Sequence, residues 1–109
     1  MNKLFSILLK PYRVVFTDFP ESYRNRQCSG VVRDEGSQYV IYIDKGRSTD
    51  EQKRALKHEL SHVFCGHLVE TWRSIEETEI EAEENATRMT DETMQSLLNQ
   101  AVSIDGIML

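Results

Sequence analysis

The stretch TDEQKRALKHELSHVFCG, residues 49–66, predicts one long helix and carries most of the chemistry in the sequence. Thr49 and Asp50 are good N-cap residues, and Gln52 follows Thr49 at the capping-box spacing. Gly66 is typical of the residue that follows a helix, so the helix should run to about Cys65. Apolar side chains recur within it at helical spacing and form one stripe that should pack against a core.

Residues 58–62 of this helix read His-Glu-Leu-Ser-His, an H-E-x-x-H motif. A helix turns about 100° per residue, so His58 and His62 project about 40° apart on one face and can bind a single Zn²⁺. This face lies opposite the apolar stripe, so the histidines are not needed in the core. Glu59 lies about 100° round from His58, where its carboxylate can accept a proton from a zinc-activated water. The motif therefore predicts metal-dependent hydrolysis.

A catalytic zinc site usually takes three ligands from the protein, so a third ligand must lie outside the motif. His67 would point about 140° away from His62 if the helix continued, and we interpret it as a helix-end residue. Cys65 shares the histidine face, but a buried free thiol is the commoner state of such a cysteine. Glu81 is the better candidate, because 18 residues separate it from His62, enough for a turn and a second helix that packs back on the first.

The second helix, predicted over residues 75–89, is unusually acidic, since seven acidic residues lie between positions 70 and 84. Ala82 and Ala86 would let this helix approach the histidine helix closely. The helical wheel does not choose cleanly among its carboxylates, because Glu79 borders the alanine stripe from the other side. Most of the glutamates should face solvent, namely Glu70, Glu76 and Glu83. The alternatives that stay open for the third ligand are Glu77, Glu79 and Glu81.

Composition limits the class of protein. The chain has 109 residues and a net charge of −5, which predicts a single domain over residues 1–109 and argues against direct nucleic-acid binding. Two cysteines, Cys28 and Cys65, cannot make a disulfide framework. The N-terminal apolar stretch of six residues is too short for a signal peptide, and no stretch approaches the roughly 20 residues that span a bilayer. We expect a cytoplasmic protein with no membrane association.

Local patterns predict an α+β fold, with a short antiparallel β-sheet packed against helices and the H-E-x-x-H helix carrying the active site. A short helix is predicted before Pro11, a loop over residues 18–30 and a last helix over residues 90–102. The predicted strands are Arg13–Thr17 and a hairpin formed by Val31–Arg33 and Gln38–Ile43.

The motif at residues 58–62, followed by Glu-Ile-Glu-Ala-Glu-Glu-Asn-Ala at residues 79–86, resembles the ImmA/IrrE family of small zinc metallopeptidases. This resemblance implies a gluzincin-like site with a Zn²⁺ cofactor, in a minimal zincin-like domain. It implies His58, His62 and Glu81 as metal ligands, because a Glu-Ala pair marks the ligand in the family's second helix. It implies Glu59 as the general base.

Known members of that family cleave or inactivate helix-turn-helix repressors of phages, mobile elements or stress-response systems. The resemblance thus implies a zinc endopeptidase with a protein substrate, plausibly such a repressor. The chain departs from the family pattern at Asn85, where an aromatic residue is usual, and over residues 87–90, where a hydrophobic run is usual. An alternative is a zinc-stabilised antirepressor that binds without cleaving, and a third is a structural metal site that includes Cys65 or His67.

Two further expectations concern the substrate. The sheet edge near Tyr39–Ile43 should hold an extended substrate segment as an added strand. One tyrosine should steady the oxyanion of the tetrahedral intermediate. The sequence leaves four candidates for that role, Tyr12, Tyr23, Tyr39 and Tyr42.

Overall fold

The computed structural model describes residues 10–65 and 74–106, which form an α+β arrangement of helices and a mixed four-stranded sheet. The α+β class is therefore confirmed. The elements in chain order are β1 (Tyr12–Thr17), α1 (Glu21–Asn25), β2 (Gly30–Asp34), β3 (Tyr39–Asp44), α2 (Thr49–Phe64), α3 (Ile75–Arg88), α4 (Asp91–Leu98) and β4 (Ile104–Asp105).

The strand order in the sheet is β2-β3-β1-β4. β2 and β3 form the predicted antiparallel hairpin, with Val31 opposite Tyr42. The expectation of a wholly antiparallel sheet is wrong, because β1 runs parallel to both β3 and β4. Between β1 and β3 the chain passes through α1 and β2, and this long connection returns it to lie beside β1 in the same direction.

The core lies between the sheet and the helices. β3 is almost wholly buried, since it is flanked by β2 and β1 and α2 packs against it. The apolar stripe of α2 is buried as predicted, with Leu56 and Leu60 both 0% exposed. Each such leucine contributes about 1.5–3 kcal/mol to folding. This packing fixes the rotation of α2 and turns its histidine face away from the sheet.

The ends of α2 differ slightly from the prediction. Its N-cap is Ser48, one residue before the predicted Thr49, and Glu51 completes the capping box. The Ser48 hydroxyl accepts a hydrogen bond from the Glu51 N–H at 3.2 Å, and the Glu51 carboxylate accepts one from the Ser48 N–H at 3.1 Å. Serine with a glutamate at the third helical position satisfies both end groups, whereas Thr49 with Gln52 would leave Ser48 unused. The helix ends at Phe64, one residue before the predicted Cys65.

The other boundaries show three differences. The predicted loop over residues 18–30 contains the short helix α1, and the last helix ends at Leu98 and not near residue 102. The two-residue strand β4, which the sequence did not reveal, follows α4 and pairs with β1. The predicted N-terminal helix over residues 2–9 lies outside the described residues, as do Gly66 and His67. No described helix is long and apolar enough to cross a membrane.

Candidate metal centre

The candidate metal centre lies where α2 and α3 pack against each other. α3 opens with its own capping box, in which the Ser74 hydroxyl and the Glu77 carboxylate satisfy each other's backbone N–H. Ala82 and Ala86 are buried, and such small side chains let two helices approach closely. The Asn85 amide donates a hydrogen bond to the Cys65 sulfur at 3.1 Å and ties the C-terminal end of α2 to α3. The sequence-predicted pairing of the two helices is confirmed.

Two histidines and one carboxylate meet across these helices. The rings of His58 and His62 lie edge to face with centroids 4.8 Å apart, as expected for residues four apart on one helix. One carboxylate oxygen of Glu79 lies 3.0 Å from His58 Nε2, and the other lies 2.7 Å from His62 Nε2. One possible ligand atom from each of the three residues lies within 4.8 Å of the other two. Glu79 thus bridges the two imidazoles.

This donor set suits a zinc ion. Two imidazole nitrogens and one carboxylate oxygen are common ligands of a catalytic zinc, which keeps one position open. Ligand atoms of a tetrahedral zinc lie about 3.3 Å apart, so the two observed nitrogen-to-oxygen distances, 3.0 and 2.7 Å, need to lengthen only slightly. The residues present therefore fit a metal, which would replace the hydrogen-bonded protons between them.

The structure brings Glu79 to the two histidines. Glu81 is half-buried and is not a member of the group of described residues whose ligand atoms converge. Residues two apart on a helix point about 200° apart, so Glu79 and Glu81 cannot both face the histidines of α2. The geometry favours Glu79, one of the alternatives that the sequence left open, and the assignment of Glu81 as ligand stays a prediction.

Glu59 is held beside this group by a close approach of β2 to α2. Glu59 is buried, with 8% of its surface exposed. It lines the two cavities that lie on either side of the metal group. A Cβ on Gly30 would lie 3.2 Å from Glu59 Cγ, so glycine at this position of β2 lets the strand pack directly on Glu59. Burial and the nearby Glu79 raise the pKa of Glu59 to about 7, although His58 opposes the shift. A bound cation would lower that pKa again.

Glu83 holds the far side of the first histidine, a role that the sequence did not predict. Its carboxylate lies 2.9 Å from His58 Nδ1, and an Arg54 guanidinium lies 3.9 Å from its other oxygen. Glu83 is exposed, as expected, but it is not merely a solvated charge. A carboxylate that accepts the Nδ1 proton fixes the tautomer in which Nε2 is the metal ligand. The sequence does contain one signal for this role. Glu83 follows Glu79 by four residues, and this spacing places both carboxylates on one face of α3.

The pKa of His58 reflects this crowding by carboxylates. Burial lowers the pKa, but the charge of Glu59 and the hydrogen bonds that His58 donates to Glu83 and Glu79 outweigh that effect and raise it. The anions on several sides of His58 thus favour its protonated form in the metal-free protein. This arrangement is expected where a group of acids is placed to neutralise a cation.

A cleft runs past the metal group and differs in character on its two sides. The part on the His58 side has a volume of about 620 Å³ and is lined by charged and polar residues of α2 and of the segment before β2. The part on the His62 side, about 390 Å³, is lined largely by β2 and the start of α3. Glu59 and Glu79 line both parts, so a chain lying along the cleft would pass directly over them.

The expectation that a substrate segment pairs with the sheet at Tyr39–Ile43 is wrong. Tyr39–Ile43 belongs to β3, which lies between β2 and β1 and has no free edge. The strand that borders the cleft is β2, which ends the sheet on this side among the described residues. Gly30, Val31 and Val32 of β2 line the His62 part of the cleft.

The expected oxyanion tyrosine is also not at the site. Tyr12 and Tyr39 are buried in the core, where the Tyr12 hydroxyl donates to the Leu97 carbonyl. Tyr42 donates to Glu35, and Tyr23 packs edge-on against Phe19. The described residues that line the two parts of the cleft around Glu59 include none of the four tyrosines.

Comparison with known proteins identifies the family to which this geometry corresponds. The family model described as Peptidase_M78, IrrE N-terminal-like domain, matches residues 11–106, nearly the whole chain. The match covers β1 through β4 and therefore both helices of the candidate metal centre. No curated protein and no solved structure matches the chain significantly.

Proposed function

We propose that this chain, which belongs to the Peptidase_M78 family of IrrE N-terminal-like domains, is a zinc-dependent endopeptidase that hydrolyses a peptide bond in a protein substrate. The observation that carries the proposal is the convergence of His58, His62 and Glu79 beside the buried carboxyl group of Glu59. A metal-binding group alone would suit a structural site. A titratable carboxyl group next to it, in an open cleft, is what hydrolysis requires.

Each residue of the site has a definite task. His58, His62 and Glu79 hold the metal, and Glu83 orients His58 through Nδ1. When bound, zinc acts as a Lewis acid that polarises a peptide carbonyl and lowers the pKa of water. Glu59 accepts a proton from the attacking water and then donates it to the amine that leaves, so the peptide bond breaks without a free hydroxide or a free amide anion.

The environment of Glu59 suits this proton transfer. In the metal-free protein, burial raises the pKa of Glu59 to about 7, well above that of an exposed glutamate, so the carboxyl group holds a proton more readily than an exposed one. Its burial keeps other water away from the carboxylate, and its position lining both parts of the cleft puts it beside any bond that crosses the metal group. Metal binding makes the base more acidic, and the buried environment offsets part of that change.

The substrate segment lies along β2 in this proposal. Among residues 10–65 and 74–106, β2 is an outer strand that pairs only with β3, and its first residues border the cleft at Glu59. An extended peptide added to this strand would be held by main-chain hydrogen bonds, with its side chains directed alternately into the cleft and away from it. We propose a helix-turn-helix repressor as the protein that supplies this segment, on the basis of the family resemblance.

We also propose that the enzyme works in the cytoplasm. Cys28 forms no disulfide with any described residue, as expected for a protein in a reducing compartment. Reduced thiols close to the metal centre would be at risk in an oxidising compartment, since Cys28 lines the His58 part of the cleft.

The test is a cleavage assay on a helix-turn-helix repressor encoded beside this protein, with zinc-loaded wild type and Glu59→Gln. Wild type should cut the repressor at one site, and Glu59→Gln should retain stoichiometric zinc while cutting about 10²–10⁴-fold more slowly. Glu84→Gln, which changes an exposed glutamate of α3, serves as the matched control and should cut normally.

Two results would contradict the proposal. Cleavage by Glu59→Gln at the wild-type rate would remove Glu59 from the role of general base. Relief of repression by Glu59→Gln without any cleavage, lost only when metal ligands are changed, would instead establish the metal-stabilised antirepressor that acts by binding.

A further inference from the structure

The two parts of the cleft present opposite chemistry to a bound chain. The His58 part is lined by the charged side chains of Arg47, Glu51 and Arg54. The His62 part is lined by aliphatic residues, Ile75 at the start of α3 and Val31 and Val32 of β2, of which Val32 shares the strand face of Gly30 that is turned toward α2. Both parts share Glu59 and Glu79, so the change from charged to apolar walls occurs at the metal group itself.

Ile75 is the unusual residue of the apolar part. It is the first residue of α3 and is 81% exposed, whereas Val31 and Val32 beside it are half-buried. The capping box at Ser74 and Glu77 starts the helix without help from an apolar side chain at this position. Ile75 therefore contributes little to the stability of the described fold, and its aliphatic surface faces the cleft.

We propose that Ile75 and Val32 form a specificity pocket for a large aliphatic or aromatic side chain of the substrate, at a position adjoining the bond that is cut. The inference rests on the proposed peptidase function and adds the class of substrate. The pocket, about 390 Å³ in volume, has room for such a side chain, and it shares His62, Glu59 and Glu79 with the metal centre.

A peptide is the occupant that this position favours. The same three residues of β2 that line the pocket lie on an outer strand, which offers main-chain pairing to an extended chain. The charged walls immediately beyond the metal group suit the polar side chains of a protein segment. An apolar side chain in the pocket would cover Ile75 and exclude water from Glu59, so recognition and proton transfer would be coupled.

The first experiment profiles cleavage of a peptide library made by trypsin digestion of a bacterial proteome. Zinc-loaded wild type should enrich Leu, Ile, Phe or Met over Ser and Gly by about tenfold at one position next to the cut bond. Ile75→Ser should lose most of that enrichment and should lower kcat/KM for a peptide with Leu at that position by about tenfold. A peptide with Ser at the same position should be cut equally by both proteins.

Ile80→Ser is the matched control, because Ile80 is also an exposed isoleucine of α3, 54% exposed, but lines neither part of the cleft. It should keep both the wild-type preference and the wild-type kcat/KM. An Ile75→Ser enzyme with the wild-type preference would overturn the proposal. Equal losses of preference and of kcat/KM in Ile75→Ser and Ile80→Ser would also overturn it.

A binding measurement separates failure of this inference from failure of the proposed function. Zinc-loaded Glu59→Gln and Glu59→Gln/Ile75→Ser are applied to an array of ten-residue peptides that differ only at one central position in an Ala-Gly background. Stronger binding to Leu and Phe than to Ser, lost on changing Ile75, supports the pocket even where the wild type cuts nothing. Equal binding to all central residues by Glu59→Gln would contradict it.

Discussion

Two clusters of charged side chains lie at opposite ends of α2, and they are built in opposite ways. Before the helix, Asp44 is 0% exposed and accepts two hydrogen bonds from the Arg24 guanidinium, each at 2.8 Å. It also accepts the backbone N–H groups of Phe19 at 3.3 Å and Gly46 at 3.0 Å. In the second half of the helix, Glu79 and Glu83 meet His58 and His62 across the helix pair.

The consequences for the pKa values differ in sign. Hydrogen bonds from Arg24 hold the pKa of Asp44 at about 2, because its charge is fully matched inside the chain. The pKa of Glu59 is raised to about 7 chiefly by burial, which the charge of His58 opposes and the charge of Glu79 assists. A buried acid with a matched charge stabilises a fold, whereas an excess of acids around two imidazoles is suited to a cation from outside. The comparison separates a structural cluster from a functional one.

The largest expected effect is at the second histidine. His62→Ala removes one of the three converging ligands and should weaken zinc binding by more than about 100-fold, beyond the loss usual for an outer-sphere partner. Isothermal titration with zinc measures this change. Arg24→Met should bind zinc like the wild type, and a large loss of zinc affinity in that variant would break the separation of the two clusters.

A change in the Asp44 cluster should have the opposite effect, a loss of stability without a loss of zinc affinity. Asp44→Asn removes the buried anion that binds the Arg24 guanidinium most closely, and it should lower the free energy of unfolding by about 2 kcal/mol. Urea unfolding of the metal-free protein measures this loss, and zinc affinity should change less than twofold. A stable Asp44→Asn variant with impaired zinc binding would contradict the assignment of this cluster to the fold.

Glu83→Gln tests whether Glu83, which is not one of the three proposed ligands, orients His58 for metal binding. The amide is a weaker acceptor for the His58 Nδ1 proton, so zinc affinity should fall by about 10- to 100-fold with little change in stability. Nitrogen chemical shifts of His58 should show an increased share of the other tautomer. Glu84→Gln on the same helix is the control, and equal effects of the two changes would remove Glu83 from this role.

Acid should remove the stabilisation that Asp44 provides to the fold. The folded pKa of Asp44, about 2, lies below its ordinary value of 3.8, so below about pH 4 the unfolded chain binds this proton more readily. The stabilisation is present above pH 4 and is lost as the pH falls toward 2, by about 2 kcal/mol. Urea unfolding of the metal-free protein across this range measures it, with Asp44→Asn as the control that should lack this part of the pH dependence.

The sequence predicted α2 and its histidine face correctly, because both depend on local spacing. Leu56 and Leu60 must face the core, and this fixes where His58 and His62 point. The choice between Glu79 and Glu81 depends on how α3 is rotated against α2. That rotation is set by tertiary packing of small residues, which helical periodicity does not contain.

The sheet shows the same limit. The hairpin of β2 and β3 has a local turn and was predictable, whereas the parallel pairing of β1 with β3 joins residues more than 20 positions apart. β4 has only two residues, Ile104 and Asp105, too few for any alternation to be recognised. Because β1 pairs with β3, β3 lies inside the sheet, and the proposed edge for the substrate is β2.

The central claim, that His58, His62 and Glu79 form the metal site, is tested most directly by the zinc content of two matched variants. After dialysis against zinc at about ten times the wild-type Kd, Glu81→Gln should retain nearly one zinc per chain like the wild type. Glu79→Gln, in the same helix and with the same change of charge, should retain almost none. Full zinc in Glu79→Gln, with loss in Glu81→Gln, would contradict the account and restore Glu81 as the third ligand.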